Sequence, residues 1–354
     1  SSTSRATVPI APASTHPTTA ADPKALSKEW IVRLKDGATL DIHALAARLG
    51  ARVAGSLDNP KAHRLVFDSA EDAAAARDTL AAEEDIAALE SNYALSTPAV
   101  WEPLPGLTIP NLRLQVRPWN DQSSVIVALI DTGIPTTGVQ HPDFLLPTLT
   151  IAETTTTTTG LSHGSAMFET VLQGLDRSQS AETGQPVRVL PIDIYGGRAE
   201  SSTFELAQGI AAALGNGADI LNLSLSGPQP SPLVQDLLQQ ASQAGVLAFG
   251  ASGNQPTTLP TFPAAYTEVI AVTASDRQGQ VAAYANRGEF VQLMAPGTTL
   301  VPFAGDSWVV QGTSVATAYT SGLAAGWLAD QRATPTQILP QLQQQFGFQP
   351  NPKP

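Results

Sequence analysis

Five stretches constrain this chain more than any other feature: SSVIVALIDTG, VRVLPIDIY, ADILNLSLSG, GVLAFGASGN and EVIAVTAS. Each is a short, mostly apolar segment, and the first is a continuous apolar run, VIVALI. Such a run suits a central parallel strand buried on both faces, and all are too short to cross a bilayer. Helical stretches such as TFELAQGIAAALGNG and SPLVQDLLQQASQAG lie between several of them. The pattern predicts an α/β domain over residues 121–345, a doubly wound, mostly parallel sheet with its site at the carboxyl ends of the strands.

A smaller unit precedes it. EWIVRLKDG suits a strand and turn, LDIHALAARLG a helix stopped by Gly50, and ARVAGSL and HRLVFD two strands. SAEDAAAARDTLAAEEDI is a helix with Ser69 as N-cap and acidic residues in its first turn; AALESNYAL closes the unit. This β-α-β-β-α-β order over residues 29–97 is that of a ferredoxin-like α+β sandwich. Residues 1–28, rich in Ser, Thr, Ala and Pro, read as a flexible leader. Residues 98–120 read as a Pro-punctuated connection, and 346–354 as a tail.

Composition excludes more than it selects. With 19 basic and 31 acidic residues the net charge is −12, against a nucleic-acid binder. The absence of cysteine removes disulfides, thiolate metal sites and cysteine nucleophiles together. The localisation is not fixed by either number.

Four polar residues fall where this fold exposes its strand ends. Asp131 ends VIVALID, His163 opens a helix in LSHGSAMFETVL, Asn254 ends GVLAFGASGN, and Ser314 opens a late helix in QGTSVAT. Singly, each is an ordinary cap, turn or surface residue. The lone Asp-Thr-Gly at Asp131 matches the aspartic-protease tripeptide, but that fold is all-β. Among the other histidines, His63 is a candidate pH sensor in the small domain. Together, an acid, an imidazole, a neutral amide donor and a serine at a helix N-terminus make a complete acyl-transfer set.

Their chain order, Asp, His, Ser, is the subtilisin order. VALIDTGI…HPDF, SHGS, ILNLSLSGP, GASGN and MAPG…QGTSVAT resemble the successive signature blocks of the subtilisin-like serine peptidases, the subtilases. Residues 29 to about 95 resemble that family's N-terminal inhibitor prodomain. The resemblance implies a serine endopeptidase with Ser314 as nucleophile, His163 as base, Asp131 as its orienting carboxylate, and Asn254 with the Ser314 N–H as oxyanion donors. It implies that Ser224, Leu225 and Ser226, and Ala251, Ser252 and Gly253, flank peptide or protein substrates as extra strands. It also implies self-cleavage between about Tyr93 and Trp101, inhibition by the released prodomain, and an extracytoplasmic location.

The match is imperfect. A second histidine and a Val-Ala-Gly run are usual after the first histidine; here stand Ala166, Met167, Phe168 and Glu169. These departures motivate an alternative, an inactive binding module on the same fold. Ala318 replaces a usual proline after the nucleophile, which motivates a second alternative, peptide ligation. Ser226 and Thr261 replace usual glycines and should narrow the subsites toward small or medium apolar side chains. The family's calcium loop has no counterpart in VLQGLDRSQSAETG, and no cofactor or metal site is singled out. A helical projection puts Phe168, Val171, Leu172 and Leu175 on the core stripe and Glu169 on a solvated flank with Asp176.

Overall fold

The computed structural model describes residues 24–96, 101–104, 107, 109, 111–118, 124–156, 159–178 and 184–349. The small unit comprises β1 (Ala25–Leu34), α1 (Ile42–Arg48), β2 (Ala51–Asp58), β3 (Lys61–Phe67), α2 (Ala70–Ala82) and β4 (Ile86–Ser96). Its strands run in the order β2-β3-β1-β4, all antiparallel, with Val32, Leu65, Phe67 and Leu80 in its core. Ser69 caps α2 by accepting the Asp72 N–H at 3.0 Å. β1 begins at Ala25 and not at Glu29, because Ala25 pairs with Tyr93 and the Ala94 N–H donates to Lys24 O. Backbone pairing, which leaves no hydrophobic period, extends the strand into the expected leader; residues 1–23 lie outside the described residues.

The connection holds an unexpected strand, β5 (Trp101–Leu104). The large domain follows, with β6 (Val125–Asp131), β7 (Leu149–Thr150), α3 (His163–Ser178), β8 (Val187–Asp193), β9 (Glu200–Ser202), α4 (Thr203–Gly215), β10 (Ile220–Leu223) and α5 (Pro232–Gln243). It continues through β11 (Leu247–Ala251), β12 (Val269–Ser275), β13 (Leu293–Pro296), β14 (Thr298–Phe303), β15 (Asp306–Gln311), α6 (Thr313–Ala329) and α7 (Pro335–Phe346). Seven strands form one parallel sheet in the order β13-β12-β11-β10-β6-β8-β7. The α/β expectation holds, and β6 shows why its sequence is continuously apolar. Val127 and Leu129 enter the core shared with α3 and α6, while Ala128 and Ile130 enter the core shared with α4 and α5. A strand covered on both faces has no solvent side to mark with polar residues.

α3 and α6 pack at backbone contact. A Cβ on Gly174 would lie 2.1 Å from Tyr319 O, and one on Gly322 2.0 Å from Val171 O. The small residues of α6 therefore let the two helices close over the sheet together. The expected stripe of Phe168, Val171, Leu172 and Leu175 is fully buried.

The small unit sits on the N-termini of two helices of the large domain. Asn92 Oδ1 accepts from Thr203 Oγ1 and Phe204 N at the start of α4, at 2.9 and 3.0 Å. Glu90 accepts from Ser231 Oγ and Leu233 N at the start of α5, each at 3.2 Å. The Phe204 and Leu233 N–H groups are among those a helix leaves unpaired at its N-terminus, where negative charge is favoured. Burial nevertheless pushes the Glu90 carboxyl up, against the pull of the Leu233 N–H, Arg33 and Ser231.

Candidate active site

β6, β10 and β11 deliver their carboxyl ends to one edge of the sheet, where the N-termini of α3 and α6 also arrive. Asp131, 2% exposed, closes β6. His163 is the first residue of α3, and its Nδ1 stands 2.7 and 2.8 Å from the two Asp131 carboxylate oxygens. Two local devices fix that approach. Ser162 Oγ accepts the Ser165 N–H at 3.0 Å, and the Gly164 N–H donates to Thr132 Oγ1 at 2.8 Å. Gly164 is required for contact: a Cβ there would lie 2.2 Å from Thr132 O.

Ser314, 2% exposed, is the second residue of α6, and its hydroxyl donates to Ser224 O at 3.1 Å. Gly312 gives α6 no side-chain cap, so its first N–H groups are satisfied otherwise. Thr313 N donates to Asn254 Oδ1 at 2.9 Å and Val315 N to Gly312 O at 3.2 Å, which leaves the Ser314 N–H between them without an acceptor among the described residues. Thr313 Oγ1 also donates to Asn254 Oδ1, at 3.0 Å. With its oxygen so anchored, the half-buried Asn254 amide keeps its Nδ2 on the side of Gly312, where a Cβ would lie 3.1 Å away.

Two residues that sequence reasoning passed over hold this frame. Asn286, 1% exposed, donates to Ser252 O at 2.7 Å and accepts the Gln255 N–H at 3.0 Å, gripping the turn that carries Asn254. Gly253 has φ 104°, and a Cβ on it would lie 2.6 Å from Asn286 Nδ2. Asn222 on β10 donates to Ser224 Oγ at 2.8 Å and accepts from Ser321 Oγ of α6 at 3.0 Å. A lone asparagine in AYANRG or ILNL carries no sequence signal of such a role.

The end of β4 pairs with segments of the large domain. Ala94, Leu95 and Ser96 pair antiparallel with Ser202, Ser201 and Glu200 of β9, and Ser96 also bridges to Ser226. Leu95, itself buried, lines a small depression together with Thr203, Leu206, Val234, Phe262 and Tyr266. Of the segments expected to flank an extended chain, Ser224–Ser226 thus contacts one. Ala251 ends β11 and Ser252-Gly253 is its exit; the opposite flank is β9, whose three residues are too few to show a period. Ser226 Oγ would stand 3.2 Å from a Cβ on Gly253, and Thr261 Oγ1 donates to Ser252 O at 2.6 Å. Beyond residues 97–100, which lie outside the described residues, β5 pairs antiparallel with β15, Trp101 opposite Val310 and Leu104 opposite Ser307.

Glu169 departs from expectation. It is 1% exposed, not solvated, and accepts from Gln140 N at 3.0 Å with His141 Nδ1 also at 3.0 Å. The projection treated the helix as covered by the sheet alone, whereas the loop after Asp131 covers a further side. Among the described residues no group of three or more His, Cys, Asp or Glu could hold a metal ion. No helix there is long and apolar enough to cross a membrane.

A family model described as the subtilase family matches residues 122–343. Subtilisin Savinase of Lederbergia lenta is 30% identical over 57% of this chain and 76% of its own length. M-protease of Shouchella clausii is 30% identical over 57% of this chain and 53% of its own, so the chain spans about half of that relative. Among solved structures, the protease domain of PatA is 27% identical, with a TM-score of 0.51 over 62% of this chain and 86% of that one. Fervidolysin from Fervidobacterium pennivorans, 22% identical, shares the fold with a TM-score of 0.68 over 91% of this chain and 58% of its own.

Proposed function

Because this chain belongs to the subtilase family, matched over residues 122–343, we propose that it is a serine endopeptidase made as a self-processing precursor. The carrying observation is the carboxylate–imidazole pair of Asp131 and His163, at 2.7 and 2.8 Å, on the sheet edge where Ser314 opens α6. Ser314 Oγ turns from the Ser224 carbonyl toward His163 and attacks a peptide carbonyl, forming an acyl-enzyme. His163 takes the hydroxyl proton and passes it to the leaving amine; water then repeats the sequence. Asp131 fixes the ring tautomer and balances the imidazolium. Asn254 Nδ2 and the Ser314 N–H receive the developing oxyanion.

The small unit is the inhibitor and folding partner of this site. Its β4 end takes the place of a substrate's acyl side, held between β9 and Ser226. β5, on the other side of residues 97–100, pairs with the strand that leads into Ser314. The bond to be cut therefore lies between Ser96 and Trp101. Ser226 and Thr261 crowd the cleft floor and favour small or medium apolar side chains at the scissile position. Ala318 is fully buried in the apolar core; hydrolysis is the preferred reading over ligation, and a ligation-to-hydrolysis ratio changed by Ala318→Pro would reverse that preference. An extracytoplasmic location belongs to the same proposal and rests on family membership.

Intact mass of the wild type against Ser314→Ala tests the reading. A fragment ending between Ser96 and Trp101, present only in the wild type, and fluorophosphonate labelling lost with Ser314, are expected. An unprocessed, unlabelled wild type would leave the inactive binding module.

A further inference from the structure

We propose that Glu169 is a positioning residue for the His163–Asp131 pair, acting through Gln140 and His141; this rests on the peptidase reading above. Glu169 and His163 lie on the same helix, and Asp131 opens the loop that Gln140 and His141 belong to. The two carboxylates thus tie the same two pieces of chain together. At the start of α3, Asp131 holds His163 and Thr132 Oγ1 accepts the Gly164 N–H. Further along the helix, Glu169 Oε1 accepts the Gln140 N–H and Oε2 meets His141 Nδ1, each at 3.0 Å. With about 1.5 Å of rise per residue, the ties at Gly164 and Glu169 stand roughly 7–8 Å apart along the helix axis. One tie fixes a point; two fix the direction in which α3 presents His163 to Asp131.

A buried carboxylate is an expensive way to hold a loop. On a helix that also buries Ala166, Phe168 and Val171, an apolar residue at this position would serve stability as well or better. What the carboxylate adds is direction, through two acceptor oxygens aimed at a backbone N–H and a ring nitrogen. His141 is the ionisable partner, its side chain 17% exposed against 1% for Glu169. The loop it anchors would otherwise reach Phe144 by way of the single 3-10 turn Pro142–Phe144.

The test is Glu169→Gln, with His141→Leu and His141→Asn as a second pair, since Asn keeps a donor near the place of Nδ1. Loosening the His163 approach should lower kcat on a peptide substrate about tenfold or more, with KM within about twofold. Glu169→Gln and His141→Leu are expected to show that split at nearly unchanged Tm, with His141→Asn restoring most of kcat. In a Ser314→Ala background, which cannot cut itself, the downfield proton resonance of the His163–Asp131 hydrogen bond should broaden or shift in the same two variants. Unchanged kcat and resonance in Glu169→Gln, or losses in kcat that only follow a fall in Tm, would overturn the proposal. If Glu169→Gln does not fold, the Leu/Asn pair at His141 decides alone. If the wild type is inert toward fluorophosphonate, the peptidase reading fails, while the resonance still decides whether Glu169 positions His163.

Discussion

The two domains give their histidines different partners. In the large domain His163 and His141 each face a buried carboxylate, Asp131 and Glu169. In the small domain His63, 7% exposed, meets only the Ser56 hydroxyl at 2.8 Å, and its Nε2 has no partner among the described residues. Burial pushes the His63 imidazole below its usual range, with the Lys61 and His43 charges acting the same way and Asp58 opposing them. Burial beside a neutral hydroxyl disfavours the charged imidazole, so the small domain is one that acid should loosen.

Removing the charge at the first pair should have the largest effect. Asp131→Asn keeps the size of the side chain but turns the imidazole into the wrong tautomer. We expect kcat to fall about 10⁴-fold with the far-ultraviolet spectrum unchanged. A loss of tenfold or less would mean that Asp131 is structural.

Asn254→Ala removes a neutral group from the same site and should cost less. Loss of one oxyanion donor lowers kcat about 10²–10³-fold, with KM little changed. Thr313 loses the acceptor of both its N–H and hydroxyl at the same time. Asn254→Asp distinguishes the two effects, since it keeps the acceptor for Thr313 and removes the amide donor: kcat near that of the wild type would mean that the support of Thr313 mattered more than the donor.

The smallest effect belongs to His63. Its depressed folded value means that the neutral ring is favoured in the fold. Its contribution is therefore intact above the unfolded value near 6.5 and is lost as pH falls through and below that value. The small domain should thus melt at lower temperature, or leave the catalytic domain sooner, as pH drops below about 6.5. His63→Leu should flatten that dependence in a pH series of thermal melts. An equal slope in both proteins would remove His63 from the account.

Much of the fold and of the site is legible in the amino-acid order alone. The β-α-β-β-α-β unit, the Ser69 cap and the parallel sheet follow from periods of two and 3.6 and from unbroken apolar runs, which are local properties. Asp131, His163, Asn254 and Ser314 are legible because strand ends and helix starts are local too. β9 is not, since three residues hold no period, and neither is β5, whose Glu102 and Pro103 stay exposed while only its backbone pairs with β15. Asn286 and Asn222 are hidden because their value lies in partners distant in sequence.

Glu169 marks the boundary most clearly. The sequence by itself determined that Phe168, Val171, Leu172 and Leu175 face a core, because apolar spacing on one helix is enough to define one face. Whether the remaining faces meet water was decided only by the tertiary structure. α6, thinned by Gly322, closes on one side, and the loop through Gln140 and His141 closes on another. A side chain's solvent exposure is set by everything that packs around its helix, and a helical projection contains only the helix.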